Sequence, residues 1–347
     1  MKTVTLAFLS VLSSACPLEA LAHHSARVAY DMNRVVEFQG TITTVAWQNP
    51  HVRFGIRTLD AEGEPVDWNV ESIPVTRLAR VGITPELFNI GDTITVAGFP
   101  PRRPVRDFYA INLLLQDGRE VLLDTPEPRW TNNTIGTGRD ETPGTAGADP
   151  ALGIFRVWST DGSLLATETR FLTEGGDLAY PLTDRARAAQ AVHDPLTPGN
   201  PFLGGCTPKG MPLIMQQPNP IEFIDKGDWI ELRMEEYDTV REISLPERVL
   251  QERQVPTLLG HSFGHWEGNT LVVETGGISW PYFDQWGLMQ SEAMQTVERF
   301  TLDAAGSKLD YELIVTDPAL FTEPVTLTKS WRWIPGDQVL PFNCIEE

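Results

Sequence analysis

Val35-Val36-Glu37-Phe38-Gln39-Gly40-Thr41-Ile42-Thr43-Thr44-Val45-Ala46-Trp47 decides the fold of this chain. The stretch is rich in β-branched residues, which fit a pleated, half-buried surface. Gly40 inside it marks a bulge or strong coiling. Pro50 punctuates, and residues 51–59 then alternate: Val52, Phe54 and Ile56 share one face, with His51, Arg53 and Arg57 on or near the other. Residues 60–64 form a turn and 66–71 a third strand. Residues 74–81 read as a short helix with Val75, Leu78 and Ala79 on its apolar side. Strands follow at 92–99 and 108–115, and 119–123 extends the sheet past a turn at Gly118. Three strands, a helix and two strands is the order of an OB-type barrel.

The rest of the chain divides around a linker. Residues 125–152 carry Pro126, Pro128, Pro143 and several glycines with little apolar content. This places an OB-like domain at 23–124 and a second domain at 153–347. In the second, 154–158 is an opening strand, and 183–192 is a helix that Thr183 or Asp184 can cap. After a Pro/Gly-rich bridge at 194–210, β-signals recur at 221–224, 229–235, 239–245, 270–275, 296–303, 308–316 and 325–333, separated by turn residues. The pattern predicts an antiparallel β-meander that curls into a barrel or half-barrel. The fold class expected is all-β with minor helix.

The first residues predict export. Lys2 precedes a short apolar run, and Ala20-Leu21-Ala22 supplies the small residues of a signal-peptidase site, making 1–22 a signal peptide. The run is shorter than the roughly 20 apolar residues that span a bilayer, and no later segment reaches that length. A secreted, periplasmic protein is expected. Cys16 offers a competing lipidation site, although Leu12 sits one place too far upstream and Pro17 follows the cysteine. Cleavage after Ala22 leaves two cysteines, Cys206 and Cys344. In an oxidising compartment they predict a disulfide, with two buried thiols as the other reading. The net charge of −20 argues against nucleic acid and anionic membranes as partners. It suits a metal ion or a small apolar molecule.

Two motif sets carry resemblances. His23-His24-Ser25 with Trp47-Gln48-Asn49-Pro50-His51 resembles a domain of unknown function found in exported bacterial proteins. The second half resembles another uncharacterised exported family through residues 264–273, beginning Gly264-His265-Trp266-Glu267-Gly268, and through Ser291-Glu292-Ala293 followed by Val297-Glu298-Arg299. Gln290 stands where relatives of that family commonly carry a histidine. Neither resemblance implies a settled activity.

Four groups of residues point to chemistry. Cleavage after Ala22 makes His23 the mature terminus, whose α-amine and ring Nδ1 form a chelate suited to Cu(II). His51 would supply the second imidazole, with His24 as an alternative, and copper is the expected cofactor. Three nitrogens in a T resemble, in ligand set alone, the histidine brace of copper oxygenases and periplasmic copper carriers. The competing reading is a metal-free terminus and a strand-edge His51. Next, His261 and His265 would suit zinc on a helix, but Gly260 and Gly264 favour a strand, where both would line a ligand pocket with Glu267 or pack at a barrel mouth. Glu292, Glu298 and Arg299 form a third group. Residues 291–293 would cap and open a short helix, Arg299 would pair with a carboxylate on a neighbouring strand, and an inward Glu298 would line a cavity or join a structural ion pair. Last, Cys206 with Met211 and Met215 would suit Cu(I), or the methionines are core.

The chain carries no Gly-rich phosphate loop, nucleophile elbow, His-Glu-x-x-His or CxxC. The expectation is a secreted binding protein that holds copper. The alternatives are a copper-dependent oxidase, an isomerase or hydrolase in the second barrel, or a structural envelope protein.

Overall fold

A computed structural model describes residues 26–136, 152–160, 180–194, 197, 205–246, 255–284 and 287–345. The leader, Cys16, His23 and His24 lie outside the described residues.

The chain enters through α1 (Ala26–Ala29) and builds the first barrel from β1 (Val36–Ala46), β2 (Arg53–Leu59), β3 (Pro65–Glu71), α2 (Val75–Arg80), β4 (Thr93–Phe99) and β5 (Asp107–Leu114). The strand order is β3-β2-β1-β4-β5, and a β3–β5 pairing closes it. That is the OB-type topology. The alternation in β2 sends Phe54 and Ile56 inward to meet Val70, Val96, Phe108 and Leu113, all buried. Gly40 lies where β1 coils: a Cβ there would stand 2.5 Å from Ile56 Cγ2 and 2.7 Å from the Arg57 carbonyl oxygen. The register shift in β1 falls later, between Ile42 and Thr44.

β6 (Glu120–Leu122) and β7 (Thr134–Ile135) extend this sheet, β7 coming from the stretch expected to be linker. Glu120 explains why. Its buried carboxylate accepts the backbone N–H groups of Arg129, Trp130 and Thr131 at 2.7, 2.8 and 3.0 Å, which folds this segment back onto the barrel.

The second domain contains β8 (Val157–Trp158), α3 (Asp184–Val192) and eight further strands: β9 (Ile221–Asp225), β10 (Trp229–Met234), β11 (Thr239–Ser244), β12 (His261–Glu267), β13 (Thr270–Gly276), β14 (Gln295–Leu302), β15 (Lys308–Thr316) and β16 (Val325–Arg332). Thr183 caps α3, its hydroxyl accepting from Ala186 N at 3.2 Å. The nine strands form one sheet in sequence order. Its two ends meet where Ser159 and Arg332 exchange backbone hydrogen bonds of 2.9 and 2.8 Å, so the sheet is a nearly closed barrel. One pairing departs from the meander: β11 and β12 run parallel, through Ile243↔Ser262 and Ser244↔Phe263 alone. Residues 245–260 separate them, long enough to carry the chain back to the same end, which a tight hairpin could not do. Residues 291–293 form a turn instead of the expected helix. Asp317 holds Ser291 by N–H and Oγ at 2.7 and 2.8 Å, and β14 begins at Gln295, leaving no length for a helix.

Cys206 and Cys344 are disulfide-bonded, with Cα atoms 5.7 Å apart. Cys206 therefore offers no thiolate to copper, and Met211 and Met215 are buried in the second core. Among the described residues, no helix is long and apolar enough to cross a membrane.

Candidate functional site

The outer face of the first barrel carries a row of paired residues: Arg53 on β2 opposite Glu71 on β3, and Glu71 opposite Tyr109 on β5. Strand alternation puts such a row toward water, yet Arg53 is 6%, Glu71 1% and Tyr109 4% exposed. Tyr30 roofs the row. The turn of α1 delivers it, its N–H bonding the Ala26 carbonyl at 2.8 Å, and its ring lies 5.6 Å from that of Tyr109. Burial first, then the Glu71 and Asp107 carboxylates, push the Tyr30 phenol well above its ordinary pKa, so it stays protonated.

His51 joins this cluster two residues before Arg53. Its side chain is 11% exposed, and Nδ1 lies 3.7 Å from Glu71 Oε2. The same carboxylate oxygen accepts Arg53 Nη2 at 3.4 Å. A carboxylate beside a ring nitrogen is the kind of neighbour that orients metal-binding histidines. Among the described residues, no three His, Cys, Asp or Glu side chains cluster for a metal, and this corner holds one imidazole beside one carboxylate.

The motif around His51 also meets the C-terminal tail. Asn49 is 5% exposed and bonds in three directions. Its Oδ1 accepts Val75 N at 2.8 Å, its Nδ2 donates to the Phe342 carbonyl, and its own carbonyl accepts Ile345 N at 3.1 Å. The C-terminal tail thus lies against the first barrel, with Cys344 bridged directly to Asn49.

The candidates of the second barrel separate. His261 and His265 share the outer face of β12 with Phe263. His261 Nε2 bonds the Val255 carbonyl at 2.8 Å, and His265 Nε2 reaches Glu267 Oε1 at 3.4 Å. Arg299 donates to Glu267 at 2.7 Å, a carboxylate on β12 and not on either strand next to β14, and with His265 lowers the Glu267 pKa. Glu292 is exposed in its turn. Glu298 alone faces inward, wholly buried. Arg241 forks onto it, with Nη1 3.0 Å from Oε1 and Nη2 on Oε2, and Tyr311 donates to Oε1 at 2.8 Å. Ser262 and Thr275 take further Arg241 N–H groups at 2.9 and 2.7 Å. The five candidates therefore form no single site.

Two hollows flank these residues. One of about 240 Å³ lies at the β11–β12 seam, with Val240, Arg241, His261 and Phe263 in its lining. Another of about 470 Å³ lies over β14–β16, with Arg299, Asp310, Glu312 and Thr328 in its lining. Sequence reasoning missed Tyr30, Glu71, Asn49 and Arg241. For Arg241 a signal existed, an arginine alternating with Thr239 and Ile243 on an inward face.

Residues 10–107 match a family of unknown function, DUF6152. The matched stretch contains both the His23–Ser25 segment and the Trp47–His51 motif. No curated protein matches the chain.

Proposed function

We propose that this is an exported, periplasmic binding protein that holds copper at the corner of its first barrel. His51 supplies one imidazole there, and the mature terminus supplies the remaining nitrogens, from the His23 amine and ring with His24 in reserve. The observation that carries this reading is His51 with Nδ1 turned to the buried Glu71 carboxylate at 3.7 Å. Cu(II) favours such nitrogen donors, and the Glu71 carboxylate beside Nδ1 would raise the basicity of the ring. His23 lies three residues before Ala26, where α1 begins, and α1 delivers Tyr30 to the row that holds Glu71.

The second barrel is read as a packed structural partner, with its likeness to an exported family carried as part of this proposal. Trp158, Phe223, Phe300 and Trp331 fill its inward face, and the inward Glu298 spends both oxygens on Arg241 and Tyr311. An enclosed apolar ligand or an acid–base enzyme fits that interior less well.

The test is Cu(II) titration of protein whose His23 terminus has been verified by mass spectrometry, followed by electron paramagnetic resonance. One equivalent with nitrogen hyperfine coupling is expected, together with a large loss of affinity in His51→Ala. Equal affinity in the wild type and a His24→Ala/His51→Ala variant would overturn the reading.

A further inference from the structure

We infer that the C-terminal tail is part of the scaffold of the first barrel's site: it positions His51 through Asn49, and the Cys206–Cys344 disulfide holds it there. The inference rests on the copper reading for its functional consequence but not for its geometry.

The tail is gripped first by the second barrel. Asp238, in the turn between β10 and β11, accepts Phe342 N at 2.8 Å and Asn343 N at 3.1 Å. Glu235 accepts Leu340 N at 2.9 Å, and the Tyr237 ring packs 5.0 Å from that of Phe342. Cys206, the other end of the disulfide, is itself anchored. Three residues on, buried Lys209 bonds Gln217 at 2.7 Å and pairs with Glu236, and Met211 enters the core. The disulfide therefore ties the tail to a rigid part of the second barrel.

Held in that way, the tail delivers two backbone groups to one residue of the first barrel. The Phe342 carbonyl accepts the Asn49 amide, and Ile345 N donates to the Asn49 carbonyl at 3.1 Å, one on each side of Cys344. Asn49 is thus gripped by Phe342, 293 positions away in the chain, and by Ile345 beyond it. Its orientation passes to His51 through one residue, Pro50, whose ring locks φ. Few soft dihedrals then remain between the gripped peptide and the imidazole. Asn49 is a positioning residue, and its carboxamide joins three parts: the tail, the α2 entrance at Val75, and the start of β2.

Two variants test this in the full mature chain. Cys206→Ala/Cys344→Ala removes the clamp without leaving thiols that would themselves bind copper. Asn49→Asp keeps the acceptor for Val75 N and the backbone bond from Ile345 N but loses the side-chain donor to Phe342, so it removes one of the tail's two hydrogen bonds and covers the case in which the double variant does not fold. The measurements are Cu(II) affinity and the metal-free ring resonances of His51 by long-range proton–nitrogen NMR. For folded variants, we expect affinity to fall about 10-fold or more, as for other residues that orient a metal ligand, and the His51 resonances to move. Folded variants with wild-type affinity and unmoved His51 resonances would overturn the inference. If the wild type itself binds no Cu(II), the copper reading fails, and the His51 resonances still decide whether the tail positions the ring.

Discussion

Arg80 of the first barrel and Glu235 of the second form a buried, two-pronged ion pair, Nη1 to Oε1 at 2.7 Å and Nη2 to Oε2. Arg80 is 10% exposed and Glu235 not at all, and Asp337 adds a second carboxylate at 3.2 Å from Nε. Burial works against the guanidinium charge, but the two carboxylates outweigh it and raise the Arg80 pKa. The pair joins the last turn of α2 to the strand end that also receives the tail. Replacing Arg80 with Ala strands a buried charge, at a cost of about 3–5 kcal/mol. Urea denaturation should show that loss. A midpoint unchanged from wild type would mean the pair is solvated in solution.

Inside the second barrel, Glu298→Ala should destabilise by a similar amount, about 3–5 kcal/mol, because Arg241 is left buried and unpaired. Arg241→Met with Glu298→Leu removes both charges and should recover most of that loss. Urea denaturation of the wild type and the two variants measures the difference. If the double variant is no more stable than Glu298→Ala alone, the network contributes more than its charge pairing.

Acid should loosen the segment after the first barrel. Burial raises the Glu120 pKa, but the N–H groups of Trp130, Thr131 and Arg129 and the Asn112 amide outweigh it and hold the carboxyl below its ordinary 4.5. A depressed pKa contributes stability that is complete above the unfolded value and is lost as pH falls through the folded one. Glu120→Gln should therefore cost on the order of 2 kcal/mol at about pH 6 and much less at about pH 3. Hydrogen exchange at the amides of residues 129–131 reads the same contact directly. Equal protection in wild type and variant at the higher pH counts against it.

Gly40→Ala should destabilise the first barrel by about 1–3 kcal/mol, since the added methyl meets Ile56 and the Arg57 carbonyl below contact distance. Thermal unfolding followed in near-ultraviolet circular dichroism checks this. A neutral outcome would require β1 and β2 to shift apart.

Most strands of the first barrel were legible because each carries its own alternation. The expected 35–47 became Val36–Ala46, and 66–71 became Pro65–Glu71. Where local pattern fails, so does the reading. β12 has no β-branched run, so the glycines at 260 and 264, which disfavour a helix, are its main local sign of an extended form. β7 is two residues long and exists because Glu120 pulls its neighbourhood back. The parallel β11–β12 pairing depends on the path of the connection, which no local pattern records.

The site divides along the same line. By itself the sequence determined the order of strands and helix, the inward face of β2, the cysteine pair and His51 as the imidazole to examine. Those follow from periodicity, turn chemistry and residue type, which act over a few neighbours. Only the tertiary structure decided that Arg53, at the outward start of β2, is buried beside Tyr30. It alone set Glu71 beside His51, made Arg241 the partner of Glu298, and laid the tail against Asn49. Each of these is a contact between residues far apart in the chain. Its energy depends on desolvation and geometry that arise only when the barrels close and the two domains meet.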